Sequence, residues 1–250
     1  MSFLEDMIYV NKNVLGKTVK SFTNNWQITL TVVAYTLINI LVYNLFNILF
    51  AGPFSLLSGI IRTLVNSSIV SSYLYSLFNI ISYGRFSLDI FKNGFTQYVR
   101  KIYGIFFIGY LGRLLLSLVA PMFGVSAGFI TIIVGIMVAF VLNPLPEAVY
   151  LKSYGSLDTI TYSLEFLKEN FVQWFVPNLL FYGIIYLLTG QLLFNLFNTN
   201  LEFVFSSNVL DLLLFAVGQV IFSFMMIYRG HLFKVLSTSN RRKRMFMRKV

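Results

Sequence analysis

The chain has 250 residues, 57% of them apolar and 11% charged, with a mean hydropathy of +0.77 and a formal net charge of +10. Soluble domains carry about 25% charged residues and stop growing as single cores near 250 residues. The composition therefore excludes a soluble globular domain and points to an all-α, polytopic membrane bundle. Cysteine is absent, which excludes disulfides, thiolate catalysis and cysteine-based metal sites.

The first 25 residues hold Glu5, Asp6, Lys12, Lys17 and Lys20 and lack the apolar stretch of a cleavable signal peptide. The first apolar run is therefore expected to stay as an uncleaved anchor. No charged side chain occurs from Ser21 to Ile61. About 20 helical residues cross a bilayer core, so this stretch predicts a span near Trp26 to Phe50 and, after a break at Gly52-Pro53, a second near Phe54 to Ser82. A third and fourth are predicted near Ile102 to Ala120 and Met122 to Leu142, broken at Pro121. A fifth and sixth follow near Trp174 to Phe197 and Asn208 to Tyr228. Segments 1–25, 83–101, 144–173 and 229–250 hold 3, 4, 2 and 8 basic residues, and the connections 51–53, 121 and 198–207 hold none. By the positive-inside rule this predicts a multi-pass cell-membrane protein with both termini cytoplasmic. The same rule accounts for the positive charge, so no nucleic-acid partner is expected.

Two stretches repeat: LDIFKNGFTQY (88–98) and LEFLKENFVQW (164–174). They share Leu88/Leu164, Lys92/Lys168, Phe95/Phe171 and Gln97/Gln173. Leu88, Phe91, Phe95 and Tyr98, and likewise Leu164, Leu167, Phe171 and Trp174, recur at helical spacing. Asp89–Lys92 and Glu165–Lys168 are i,i+3 pairs on the opposite faces. Both precede a span on the basic side, so they predict amphipathic helices lying along the inner leaflet. A fainter copy at TNNWQ (23–27) would make three units, 1–83, 84–143 and 144–230, followed by a basic cytoplasmic tail, 231–250. The expectation is six transmembrane helices with two or three interfacial ones. The stretch NPLPEAVYLKSYGSLDTITYSLEFLKENF (143–171) and the span after it resemble poorly characterised bacterial six-span membrane proteins with internal repeats. They also resemble the membrane domain that precedes the catalytic domain in some glycerophosphodiesterases. The resemblance is architectural, and it implies none of that domain's catalysis because no phosphodiesterase segment is present here.

Intramembrane charge marks function by default, which singles out Arg113 and Arg62, with Asp211 at the start of the last span as a potential partner. On the second span Ser68, Ser72, Ser76 and Asn79 form one stripe that Ser67 and Ser71 widen, and Asn39, Tyr43 and Asn47 form another on the first. Such stripes pack helices together or line a polar pathway. GVSAG (124–128) matches the G-x-S-x-G pattern, but it lacks the strand-to-helix context and a base; His231, the one histidine, is expected beyond the last span. No Walker loop or HExxH is present, and Glu147, Asp158, Glu165 and Glu169 read as a solvated face. Pro144 and Pro146 predict a corner, with Glu147 in the first turn of the next helix, where its charge suits the dipole. In the tail, Arg241, Arg242, Lys243 and Arg244 predict contact with anionic lipids of the cytoplasmic face. The sequence thus predicts a non-enzymatic scaffold, regulator or assembly subunit without cofactor, partnered by the bilayer and by a membrane or cytoplasmic protein. A transport component with a polar or anionic pathway near Arg113 is the alternative.

Overall fold

The computed structural model describes residues 3–49, 55–123, 127–203 and 208–239, and among them every regular element is helical. The helices are α1 (Phe3–Asn24), α2 (Thr31–Leu49, after a 3-10 segment Trp26–Leu30), α3 (Ser55–Tyr83), α4 (Leu88–Gln97), α5 (Val99–Val119), α6 (Ala127–Val141), α7 (Leu145–Leu151), α8 (Ser156–Thr189) and α9 (Val209–Thr238). Five segments, Trp26–Phe46, Ser58–Tyr83, Val99–Met122, Ser156–Thr189 and Val209–Thr238, are long and apolar enough to cross a membrane. A sixth qualifies only as the bent pair Gly128–Val141 and Leu145–Leu151, which turn by 47°.

The bundle has two unlike ends. At one, the C-terminal halves of α3 and α9 run through a dense core that includes Leu77, Ile80, Val149, Trp174, Met225 and Phe233. Its surface carries exposed Lys12, Lys17, Lys20, Arg85, Lys92 and Arg100. Away from this basic end, α2, α5, α6 and the near halves of α8 and α9 expose large apolar side chains such as Leu41, Leu115, Ile132, Leu187 and Leu213. Unlike a soluble core, this arrangement leaves its greasiest helices uncovered, as a surface solvated by hydrocarbon allows.

α1 is the transverse element. It buries Asp6, Val10, Val14 and Thr18, spaced four residues apart, and Glu5 and Asp6 in its first turn suit the helix dipole. Asp6 accepts from Gln173 Nε2 on α8 at 2.7 Å, Asn11 Oδ1 accepts from Tyr228 Oη on α9, and Ser21 Oγ bonds His231 Nε2 at 2.9 Å. Asn25, just past the helix, donates to Gly84 O at 3.1 Å. Between Asn11 and Ser21 the helix advances about 15 Å, whereas Tyr228 and His231 lie about 4.5 Å apart along α9. α1 therefore crosses α9 rather than following it, and it straps together α8, α9 and the end of α3.

The repeated stretches do not form the matched pair of surface-lying helices expected from sequence. α4 runs back along α3, where Ser68, Ser71 and Ser72 donate to the carbonyls of Phe95, Gly94 and Phe91 at 2.8, 2.6 and 2.8 Å. This close approach requires glycine at 94, since a Cβ there would lie 2.8 Å from Ser72 Cα. The second stretch is the interior of α8, which continues through a backbone break at Asn170 (φ −122°, ψ 19°). A break also divides α4 from α5, at Tyr98 (φ −116°, ψ 5°). The alignment pairs Asn170 with Gly94, so the two breaks differ by one helical turn.

Two boundaries move and one holds. α8 ends at Thr189, where Gly190 takes the left-handed conformation (φ 68°), so the fifth helix stops short of Phe197. The fourth ends at the Asn143–Pro144 turn as the prolines foretell, with α7 continuing beyond it. α9 continues ten residues past Tyr228 to Thr238, which brings His231 inside the helix and makes it a buried partner of α1. Residues 124–126 of GVSAG and the tail residues Arg241, Arg242, Lys243 and Arg244 lie outside the described residues.

Candidate functional site

At the inner edge of the basic core, α9 places Arg229 against Glu147 of α7, both inaccessible (4% and 0% exposed). Nε donates to Oε1 at 2.7 Å and Nη2 to Oε2 at 3.0 Å, a bidentate fork. Nη2 also donates to Asn143 O at 2.7 Å, Nη1 donates to Tyr182 Oη, and the guanidinium lies 5.2 Å from the Trp174 ring centroid. Trp174 Nε1 donates to Asn143 Oδ1 at 2.9 Å and Asn143 Nδ2 to Tyr182 Oη at 3.1 Å, which closes the network. The corner at Asn143–Pro144 aims both the Asn143 carbonyl and Glu147 at Arg229. Among the described residues this is the one ion pair.

The chemistry of this cluster is that of a lock. A buried carboxylate and guanidinium are tolerable when each is paired and further hydrogen-bonded, and here the two carboxylate oxygens and the three guanidinium nitrogens all have partners. They join the α6–α7 corner, α8 and α9. A second tie lies nearby, where Lys101 Nζ on α5 caps the end of α7 by donating to the carbonyls of Val149 and Lys152 at 2.9 and 2.7 Å, a favourable place for a cation. Ser156 Oγ donates to Lys101 O at 3.0 Å, adding the start of α8.

The residues singled out from sequence fall into three groups. Ser68 and Ser72 dock α4, as given above, so this part of the stripe holds helices together, whereas Ser76 and Asn79 donate within their own helix to Ser72 O and Tyr75 O at 2.9 and 2.8 Å. Arg113 is exposed on α5 and has no hydrogen bond or ion pair among the described residues. Arg62 lies 5.6 Å from the Phe46 ring centroid and borders two adjoining cavities. Asp211 sits exposed in the first turn of α9, and no ion pair joins it to either arginine among the described residues. The solvated face expected for the acids holds for Asp158, Glu165 and Glu169, which are exposed, but not for Glu147, which is fully buried because Arg229 takes both its oxygens. No family model, curated protein or solved structure matches this chain.

The larger cavity, about 860 Å³, lies between α2, α3 and α5. Asn39, Arg62, Thr63 and Asn66 face it from α2 and α3, and Tyr103, Phe106, Phe107 and Tyr110 from α5. The second, about 500 Å³, shares Asn39, Val42 and Arg62 with it and reaches Tyr43, Asn200 and Glu202. Asn39, from the polar stripe of the first span, thus faces a cavity.

Sequence reasoning missed Arg229, Glu147 and Lys101. A signal existed: Glu147 is the one acid in an apolar, proline-bounded stretch, and Arg229 follows an uncharged run from Leu212 to Tyr228. Each had a sufficient local explanation, and nothing local pairs them.

Proposed function

We propose that the chain is a non-enzymatic integral membrane protein with six spans and both termini in the cytoplasm, serving as a scaffold, regulator or assembly subunit of a membrane complex. The observation that carries this reading is the strap α1. It is tied by side chains to α8, α9 and the end of α3, while its outward face presents Lys12 beside exposed Ile8, Leu15 and Val19, and exposed Lys17 and Lys20 flank the buried face. A basic and apolar face held rigidly at the mouth of the bundle suits docking to another protein at an anionic leaflet better than passage of a solute. The lock at Arg229 supports the same reading, because it fixes that face and commits Nε and both N–H groups of Nη2 to Glu147 and Asn143.

Purification of the full chain in mild detergent tests this: a partner should copurify at stoichiometric level and be lost when Lys12, Lys17 and Lys20 are all replaced by Glu. Capture unchanged by those substitutions, or no partner at all, would count against it. Topology is checked separately, since the chain has no cysteine. Asn198→Cys should react with an impermeant maleimide on intact cells, and Ser153→Cys only after permeabilisation.

A transport component is the second reading, favoured by the cavities beside Arg62. In that case Arg62→Leu would abolish activity rather than alter only stability or assembly, whereas Arg113, which borders neither cavity, would tolerate the same change.

A further inference from the structure

The cavities at Arg62 carry more than a pathway hint. Their walls belong to the apolar part of the bundle, where Ile60, Ile61, Leu64, Leu111 and Leu114 on the same helices are exposed. Within this surface Arg62, Asn39, Asn66 and the hydroxyls of Tyr103 and Tyr110 make no hydrogen bond among the described residues, and among those residues Arg62 is the one cation bordering either cavity. Polar groups in hydrocarbon each cost several kcal/mol when unsatisfied, so such a cluster calls for an occupant that supplies acceptors. Asn39, Ile60, Arg62, Asn66, Phe107 and Tyr110 are all exposed, so the larger cavity opens at the side of the bundle, among the apolar side chains that a bilayer would cover. The volume of about 860 Å³ is that of a small-molecule site, typically about 300–1,000 Å³. One wall offers amides and a guanidinium, and the other offers the rings of Phe106 and Phe107.

We propose that this cavity binds an anionic amphiphile, specifically a membrane lipid with a phosphate headgroup. The phosphate lies at Arg62, within reach of Asn39 and Asn66, and an acyl chain lies along the aromatic wall of α5. Arginine suits this task because its planar fork donates to two phosphate oxygens at once. Glu202 borders the outer cavity without an ion pair to Arg62 among the described residues, so its carboxylate opposes the anion and sets an upper limit on affinity. The proposal depends on membrane insertion but not on the docking role of α1.

The test is native mass spectrometry of the detergent-purified full chain, delipidated and then offered phosphatidylglycerol, phosphatidylcholine of the same chains, or palmitate. The unsubstituted protein should retain one phosphatidylglycerol at least tenfold better than phosphatidylcholine. Arg62→Gln should erase that preference, Arg113→Gln should keep it, and Glu202→Gln should increase retention. Equal retention of both phospholipids by the unsubstituted protein would overturn the proposal without recourse to any variant. So would equal losses in the two arginine variants, or retention of palmitate in place of the phospholipid. Failure of the membrane reading itself would show differently, as protein recovered in the soluble fraction without detergent.

Discussion

Removing Glu147 or Arg229 alone should cost more than removing both. Glu147→Leu leaves a buried guanidinium whose Nε and Nη2 lose their carboxylate, since the fork at 2.7 and 3.0 Å supplies both bonds. Breaking a buried pair from one side costs about 3–5 kcal/mol. Arg229→Met leaves the carboxylate unpaired at a similar cost, and it also strips the donors from Asn143 O and Tyr182 Oη. In Glu147→Leu/Arg229→Met both charges are gone. What remains is chiefly the orphaned Asn143 carbonyl, worth about 1–3 kcal/mol, so the double variant should be more stable than either single one, with a coupling energy of about 3 kcal/mol or more. The chain has two tryptophans. Trp26→Phe removes the exposed one and leaves Trp174, which stacks on Arg229. Its fluorescence then follows unfolding as denaturing detergent is titrated into mild-detergent micelles. A double variant that loses the sum of the single losses would refute the reasoning, as would a Glu147→Leu loss below about 1 kcal/mol.

Other outcomes follow from the docking of α4 and the end of α8. Gly94→Ala sets a Cβ 2.8 Å from Ser72 Cα and 3.0 Å from Ser72 O, which only a backbone shift relieves; it should lower stability by about 1–3 kcal/mol and speed proteolysis of the 84–98 segment. Ser71→Ala removes the acceptor of Tyr98 N–H at 2.8 Å as well as the donor to Gly94 O. It should cost about 1–3 kcal/mol in the same unfolding titration, whereas Asn79→Ala, which loses a bond within its own helix, should cost less than Ser71→Ala. Gly190→Ala forces a side chain into φ 68° and should cost about 1–2 kcal/mol, measured as a shift in midpoint without a change in slope.

Sequence by itself determined what is additive along the chain. Hydropathy sums over about 20 residues, so the helices of the apolar runs, and the bend at Pro144 and Pro146, were legible without knowing their neighbours. Charge, too, can be counted loop by loop, and exposed Lys12, Lys17, Lys20, Arg85, Lys92 and Arg100 lie at one end of the bundle while exposed Arg62 and Arg113 do not. Only the tertiary structure decided partnership. Glu147 and Arg229 lie 82 residues apart; taken locally, one is a helix N-terminal acid and the other a loop cation. The serines of α3 could have lined a pathway, until α4 presented carbonyls at 2.6–2.8 Å. Asn39 and Arg62 could have packed, but α5 stands back and leaves a cavity between them. A polar side chain in an apolar helix must find some partner, and its own sequence states that need without naming which distant surface meets it.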